Sequence, residues 1–387
     1  MKIAFFTDTY HPQVNGVVTS IDSFADELRK LGHSVVIFAP SSPDFKEINE
    51  FVVTMKSLGF RPYPGYRVAI PTELVGYNFS DFDIIHVHTP ATMGVVGTII
   101  ARKNKKPLVM TYHTHLLEYS HYLSERFPLV TKKMLKSYVK LFFNKASVVI
   151  SPSDEIKKEL HRMGIKRPID VVPTGVDFKK IRSSKPSLRK KYKLPLKDRI
   201  ILHVGRVTKE KNIEAILEAM KLLDNEKIML VITSDGPYKK DMEARVASMA
   251  LSGKVVFTGF LSKEALQEYY KLSDVFVMAS RTETQGIVLV EAVAHELPVV
   301  VMEAPVIADF VRKNHVGLVA SDVSDMARKI KSIKSEIFSK HQKKVVKENS
   351  KDACAHKLLK VYDVAKQQRA SKLRSATHES LLSSNPC

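Results

Sequence analysis

Two successive series of apolar strands alternating with helical segments predict an α/β fold made of two doubly wound domains facing each other across a cleft. Three observations carry this. The chain has 387 residues, room for two or three domains at about 150 residues each. Its strand-like runs, such as Lys2–Phe6, are continuously apolar rather than alternating, as in parallel strands covered on both faces. Prolines and basic residues crowd residues 173–195, between the two series.

The first series comprises strands near residues 2–6, 34–39, 84–87, 108–112, 147–150 and 170–172, with a helix from about 20 to 31 stopped by Gly32. The second comprises strands near 200–204, 227–233, 255–258, 275–278, 298–301 and 317–319. The expected division is a first domain over 1–173, a connection over 174–198, a second domain over 199–365, and a basic, polar, disordered tail over 366–387.

Composition excludes several classes. At 44% hydrophobic and 26% charged, the chain reads as an ordinary soluble globular protein. No apolar run approaches the roughly 18 residues of a membrane span. The opening MKIAFFTDTY reaches Asp8 too soon for a signal peptide. Cys354 and Cys387 cannot form a disulfide framework, which fits a reducing cytoplasm. Lysine and arginine number 61 against 41 acids, a net charge of +20 carried by both halves. That excess favours polyanions: nucleic acid, anionic lipid or phosphorylated substrates.

The strongest chemical signal follows the strand at 275–278. There Glu283 and Glu291 flank Gly286, in the run Arg281-Thr-Glu-Thr-Gln-Gly-Ile-Val-Leu-Val-Glu. A helix opening at Gly286 aims the amides of Ile287 and Val288 at an anion. Glu291, one turn in, is suited to vicinal hydroxyls such as a ribose; Glu283, with Thr284 and Gln285, faces what lies beyond the phosphates. The competing reading is two acids decorating a helix end, where acids are favourable in any case. After the strand at 200–204, Arg206 and Lys211 offer two cations on one loop to clamp a diphosphate, with Lys209 a rival for Lys211. The turns at Asp235-Gly236 and at Phe260-Leu261 end neighbouring strands, and Phe260 and Leu261 are able to flank a flat base.

In this order the motifs resemble those of the retaining family-four glycosyltransferases of the GT-B fold, over roughly residues 2–365. The resemblance implies two Rossmann-like domains and a sugar-nucleotide donor held mainly by the second. Glu283 and Glu291 match the family's Glu-x7-Glu pair, and Arg206 and Lys211 its diphosphate clamp. It implies that Glu283 contacts the donor sugar, that Glu291 holds the ribose, and that Asp235, Gly236, Phe260 and Leu261 lie near the nucleotide. Thr7-Asp-Thr-Tyr-His-Pro-Gln-Val-Asn-Gly is similar to the family's first loop, with Gly16 opening a helix toward the donor phosphates. Met110-Thr-Tyr-His113 resembles its strand-end histidine motif, which makes His113 and Glu283 the expected catalytic pair. His115, His121 and His203 keep structural readings. Within the family, the motifs are most similar to bacterial diacylglycerol glucosyltransferases. This implies transfer of glucose from UDP-glucose to diacylglycerol with retention of the α configuration. Because Arg206, Lys211 and the helix start at 286–288 supply positive charge at the leaving diphosphate, no metal or other cofactor is expected.

A lipid acceptor has separate support. Residues 129–145 read LVTKKMLKSYVKLFFNK, without an acid. Lys132, Lys133, Lys136 and Lys140 alternate with apolar positions including Phe142 and Phe143, as in a helix lying on an anionic membrane. A core helix with a lysine-rich outer face is the alternative. The aromatic and basic loop at 60–67 is a weaker lipid contact. The expected partners are therefore a sugar nucleotide, diacylglycerol and an anionic membrane at the inner face of the cell membrane. A sugar-nucleotide isomerase on the same architecture, other sugar donors, other lipid or polyol acceptors, and a non-enzymatic polyanion binder remain as rivals. No nucleic-acid motif is present.

Overall fold

The computed structural model describes residues 1–43, 45–46, 49–59, 67–113, 128–177, 183–224, 226–334 and 337–383. The chain forms two compact units, Met1–Gly175 with Lys351–Cys387, and Val176–Ser350.

The first unit is built on a parallel sheet of β1 (Lys2–Phe6), β2 (Ser34–Pro40), β3 (Val52–Met55), β6 (Ile84–Val87), β7 (Leu108–Thr111), β8 (Val148–Ser151) and β9 (Ile169–Val171). A separate antiparallel pair, β4 (Ser57–Gly59) and β5 (Arg67–Ala69), lies between β3 and β6 in the chain. The strand order β3-β2-β1-β6-β7-β8-β9 reverses between β1 and β6. Ile3 registers with Val35 on one side and Ile84 on the other. Ile3, Ala4, Phe5 and Phe6 are all buried, as a strand covered on both faces requires. The helix Gly16–Lys30 packs Val17, Val18, Ile21, Phe24, Ala25 and Leu28 against this sheet. Burying each large side chain is worth about 2 kcal/mol.

The second unit repeats the plan with β10 (Arg199–Val204), β11 (Ile228–Thr233), β12 (Val255–Phe257), β13 (Val275–Met278), β14 (Val299–Met302) and β15 (Gly317–Ala320). All pairings are parallel, in the order β12-β11-β10-β13-β14-β15, and the order reverses between β10 and β13. Two apolar clusters, one on each face of the sheet, form its core.

Three boundaries differ from the sequence expectation. Residues 351–365 belong to the first unit, because Cys354, Leu358, Val361, Tyr362 and Ala365 fill its core beside Ile21 and Phe24. Of the expected disordered tail, residues 366–383 continue the helix Lys351–Ser383 and the remainder lies outside the described residues; no glycine or proline interrupts the sequence from Lys351 before Pro386. The expected connection over 174–198 is largely part of the second unit: Leu188 and Leu194 enter its apolar cluster. Arg189 of the helix Lys185–Lys191 is buried and ion-paired to Asp274 at 2.5 Å.

Candidate active site

In doubly wound sheets ligands bind beyond the carboxyl ends of the strands, where the order reverses. In the second unit that point lies between β10 and β13, and the loops after these two strands carry Arg206, Lys211, Glu283 and Gly286. The loops are tied together. Arg281 N–H donates to the Glu210 carbonyl at 3.0 Å, and the Arg281 guanidinium donates to Asn212 at 3.3 Å. Lys211 Nζ sits 2.5 Å from Glu283 Oε1, both half-buried. Its rival Lys209 points instead over the Tyr238 ring, 5.8 Å from the centroid. Arg206 is half-buried on the same loop.

Gly286 caps the helix Ile287–Ala294 with φ 75° and ψ 58°, left-handed values that an L side chain adopts only with strain. Among the described residues no side chain caps this end, where the Ile287 and Val288 amides are half-buried. Thr284 is half-buried and Gln285 buried just before the turn. Glu291 accepts a hydrogen bond from Tyr270 Oη at 2.8 Å. Burial raises its pKa, against the opposing effect of that bond. Tyr270 itself stacks on His295, whose Nε2 lies 2.6 Å from Gln267 Oε1. Beneath the loop that carries Arg206 and Lys211, His203 is fully buried, with Nδ1 3.1 Å from the Val277 carbonyl. Burial pushes its pKa down to about 4, which leaves the ring neutral under Lys211.

The adjoining turns have their own local ties. A Cβ on Gly236 would lie 2.3 Å from the Val207 carbonyl oxygen, so this glycine lets the turn abut the loop that follows β10. Asp235 accepts from the Gly236 amide at 2.7 Å and pairs with Lys239 at 3.2 Å. Phe260 stands 66% exposed at the next strand end, while Leu261 packs on the core.

In the first unit, Gly16 does open a helix, but its amide end is already occupied. Asn15 Oδ1 accepts from the Val17 and Val18 amides at 3.0 and 3.1 Å. Asp8, fully buried after β1, accepts from Thr89 Oγ1 at 2.6 Å and from the Met93 amide at 2.7 Å, at the start of the helix Thr92–Lys103. Burial raises its pKa to about 6. His113 leaves β7 half-buried, with Nε2 3.0 Å from His88 Nδ1. Burial pushes its pKa down to about 3, so the ring is neutral at ordinary pH. His115, His121 and most of the 60–67 loop lie outside the described residues.

The lysine-rich helix is present as Pro128–Phe143. Lys132, Lys133, Lys136 and Lys140 are exposed, alongside Met134 and Leu141, each 69% exposed. Phe142 and Phe143 correct the expectation: both are core residues, 2% and 1% exposed, with Phe143 edge-on to Tyr112. Their helical spacing reflects the face turned inward. Among the described residues no helix is long and apolar enough to cross a membrane, and no group of three or more His, Cys, Asp or Glu could hold a metal ion.

Comparisons with known proteins identify the family. Residues 14–180 match the family described as Glycosyltransferase Family 4, and residues 184–353 that described as Glycosyl transferases group 1. The chain is 32% identical to α-monoglucosyldiacylglycerol synthase of Streptococcus pneumoniae, over 84% of this chain and 77% of the relative. It is 29% identical to the Acholeplasma laidlawii protein of the same name, over 82% and 84%. A GDP-mannose-dependent α-mannosyltransferase of Corynebacterium glutamicum is 28% identical over 84% and 78%. Among solved structures, sucrose-phosphate synthase from Thermosynechococcus elongatus superposes with a TM-score of 0.77 at 21% identity, covering 94% of this chain and 98% of that one. Anabaena HepE, in complex with UDP and glucose, gives 0.75 at 19% identity over 97% and 100%. With its two parallel sheets and this kinship, the chain belongs to the family-four glycosyltransferases of the GT-B fold, and it is a hexosyltransferase.

Proposed function

We propose that the protein transfers glucose from UDP-glucose to 1,2-diacylglycerol with retention of configuration, giving the α-glucolipid. The observation that carries this reading is the similarity to two relatives named α-monoglucosyldiacylglycerol synthase, over more than four-fifths of the chain. In this reading the donor diphosphate lies against Arg206, Lys211 and the amides opening the Ile287–Ala294 helix. Those groups stabilise charge as it develops on the leaving phosphate, usually the largest catalytic contribution in such a site. Glu291 holds the ribose, Glu283 meets the donor sugar, and Phe260 and Leu261 lie near the base.

His113 contacts the donor sugar near the reacting carbon. Attack on the face from which the diphosphate leaves preserves the anomeric configuration, and the departing phosphate takes the acceptor's proton. Because arginine, lysine and backbone amides supply the positive charge, no metal is required.

The exposed Lys132, Lys133, Lys136 and Lys140, with Met134 and Leu141 beside them, support attachment to an anionic membrane surface. The site assigned is the inner face of the cell membrane. The second reading is a mannosyl transfer from GDP-mannose, favoured by the C. glutamicum relative. Release of nucleoside diphosphate, followed for each sugar nucleotide with and without diacylglycerol vesicles and in excess chelator, tests the proposal. UDP-glucose turnover that needs the lipid and survives chelation is expected. Preference for GDP-mannose, turnover without lipid, or rescue by magnesium would each contradict a named part of it.

A further inference from the structure

His203 is the next-to-last residue of β10 and is fully buried. Its Nδ1 lies 3.1 Å from the Val277 carbonyl of β13. A carbonyl only accepts, so Nδ1 carries a proton and donates it. Burial holds the ring's pKa near 4, so the ring is neutral and Nε2 keeps a bare lone pair. That nitrogen is itself buried and has no hydrogen-bond partner among the described residues. Most buried polar groups are paired, and an exception asks for a reason.

The reason lies on the loop above. A Cβ built on Gly205 would stand 3.7 Å from His203 Nε2 and 3.8 Å from both Cδ and Cε of Lys211. The ring nitrogen and the lysine arm therefore border one small space, which the missing side chain of Gly205 leaves open. Beyond that arm, Lys211 Nζ pairs with Glu283 Oε1 at 2.5 Å. After burial and the Val277 hydrogen bond, both charges act on the ring, Lys211 lowering its pKa and Glu283 raising it. An ammonium carries three N–H donors, and a half-buried one is costly to leave with donors unmatched.

We propose that His203 is a positioning residue for Lys211: when a nucleoside diphosphate binds, the ammonium spans Glu283, a phosphate oxygen and His203 Nε2. This rests on the reading that Lys211 holds the donor diphosphate. No proton changes hands, because the imidazole stays neutral and the ammonium stays charged. Held by the protein on two sides, Lys211 then offers its remaining N–H to the phosphate in one fixed direction.

The test uses the full chain with UDP as the probe. Nitrogen NMR of histidine-labelled protein identifies His203 from the signals lost in His203→Gln. In the free protein Nδ1 should be protonated and Nε2 should resonate far downfield, as an unbonded lone pair does. Saturating UDP should move Nε2 upfield, as accepting a hydrogen bond requires, and should leave it in place in Lys211→Ala. His203→Asn keeps a donor for Val277 but loses the acceptor; His203→Gln puts an amide oxygen near the position of Nε2. By calorimetry His203→Asn should bind UDP about tenfold more weakly, and His203→Gln should recover most of that loss. In the Lys211→Ala background His203→Asn should cost nothing further. A proton on Nε2 would overturn the proposal. So would an Nε2 signal indifferent to UDP while Lys211→Ala binds UDP poorly. Native UDP affinity in Lys211→Ala would instead sink the underlying assignment of Lys211.

Discussion

Lys211 Nζ and Glu283 Oε1 form a half-buried ion pair at 2.5 Å, joining the loops that follow the two strands at the reversal point of the second sheet. The cation assigned to the diphosphate and the carboxylate assigned to the sugar are thus one electrostatic unit. Lys211→Ala should lower kcat by about a hundredfold, the usual cost of losing one charge-stabilising group. Because the partners are in contact, Lys211→Ala with Glu283→Gln should cost much less than the sum of the two single losses. Strictly additive effects in a double-mutant cycle would show that the pair does not act together.

Tyr270→Phe removes the hydroxyl that donates to Glu291 while keeping the ring stacked on His295. Its loss should weaken UDP-glucose binding by about 1 kcal/mol, roughly a fivefold rise in KM, with kcat unchanged. Calorimetric titration with UDP, set beside steady-state kinetics, separates this from a general loss of fold.

Acid should destabilise the protein. Burial holds the rings of His86, His88, His113, His203 and His295 below their ordinary pKa, with His203 and His295 near 4. As pH falls below 6.5 the unfolded chain takes up protons that these folded rings refuse. Each should cost about 1 kcal/mol of stability by pH 5.5. Asp8 works in the opposite sense: its folded pKa near 6 lies above the unfolded value, so its contribution is present at low pH and lost as pH rises toward 6. The histidines outweigh it. Urea midpoints at pH 7.5 and 5.5 measure the difference, and an unchanged midpoint would count against neutral buried rings.

The lysine helix separates two kinds of residue. Replacing Lys132, Lys133, Lys136 and Lys140 by glutamine should weaken binding to anionic vesicles by about 1 kcal/mol per residue at low salt, with thermal stability nearly unchanged. Phe142→Ala should instead cost about 3–5 kcal/mol of stability. Vesicle co-sedimentation and thermal unfolding of both variants distinguish a membrane face from a core face.

The sequence made the repeated strand–helix order and the loops after β10 and β13 legible because each is local: apolar runs mark buried strands, and Glu283, Gly286 and Glu291 lie within one loop and one helical turn. What it hid was long-range. Tyr270 stands 21 residues from Glu291, and His88 stands 25 from His113; only sheet register and helix packing bring them together. Periodicity also cannot say what an apolar face meets, so Phe142 and Phe143 read equally well as membrane or core. Neither can it say which sheet a helix joins. The segment from Lys351 onward follows the second unit in sequence yet buries Tyr362 in the first.

The proposed chemistry stands or falls on the lipid product formed by pure protein mixed with UDP-glucose and anionic vesicles containing diacylglycerol. Extracted lipid analysed by mass spectrometry and proton NMR should contain one hexose per diacylglycerol, with the small anomeric coupling of an α-glucoside. A β-glucoside, or hexose joined to lipid only when GDP-mannose replaces UDP-glucose, would contradict the account.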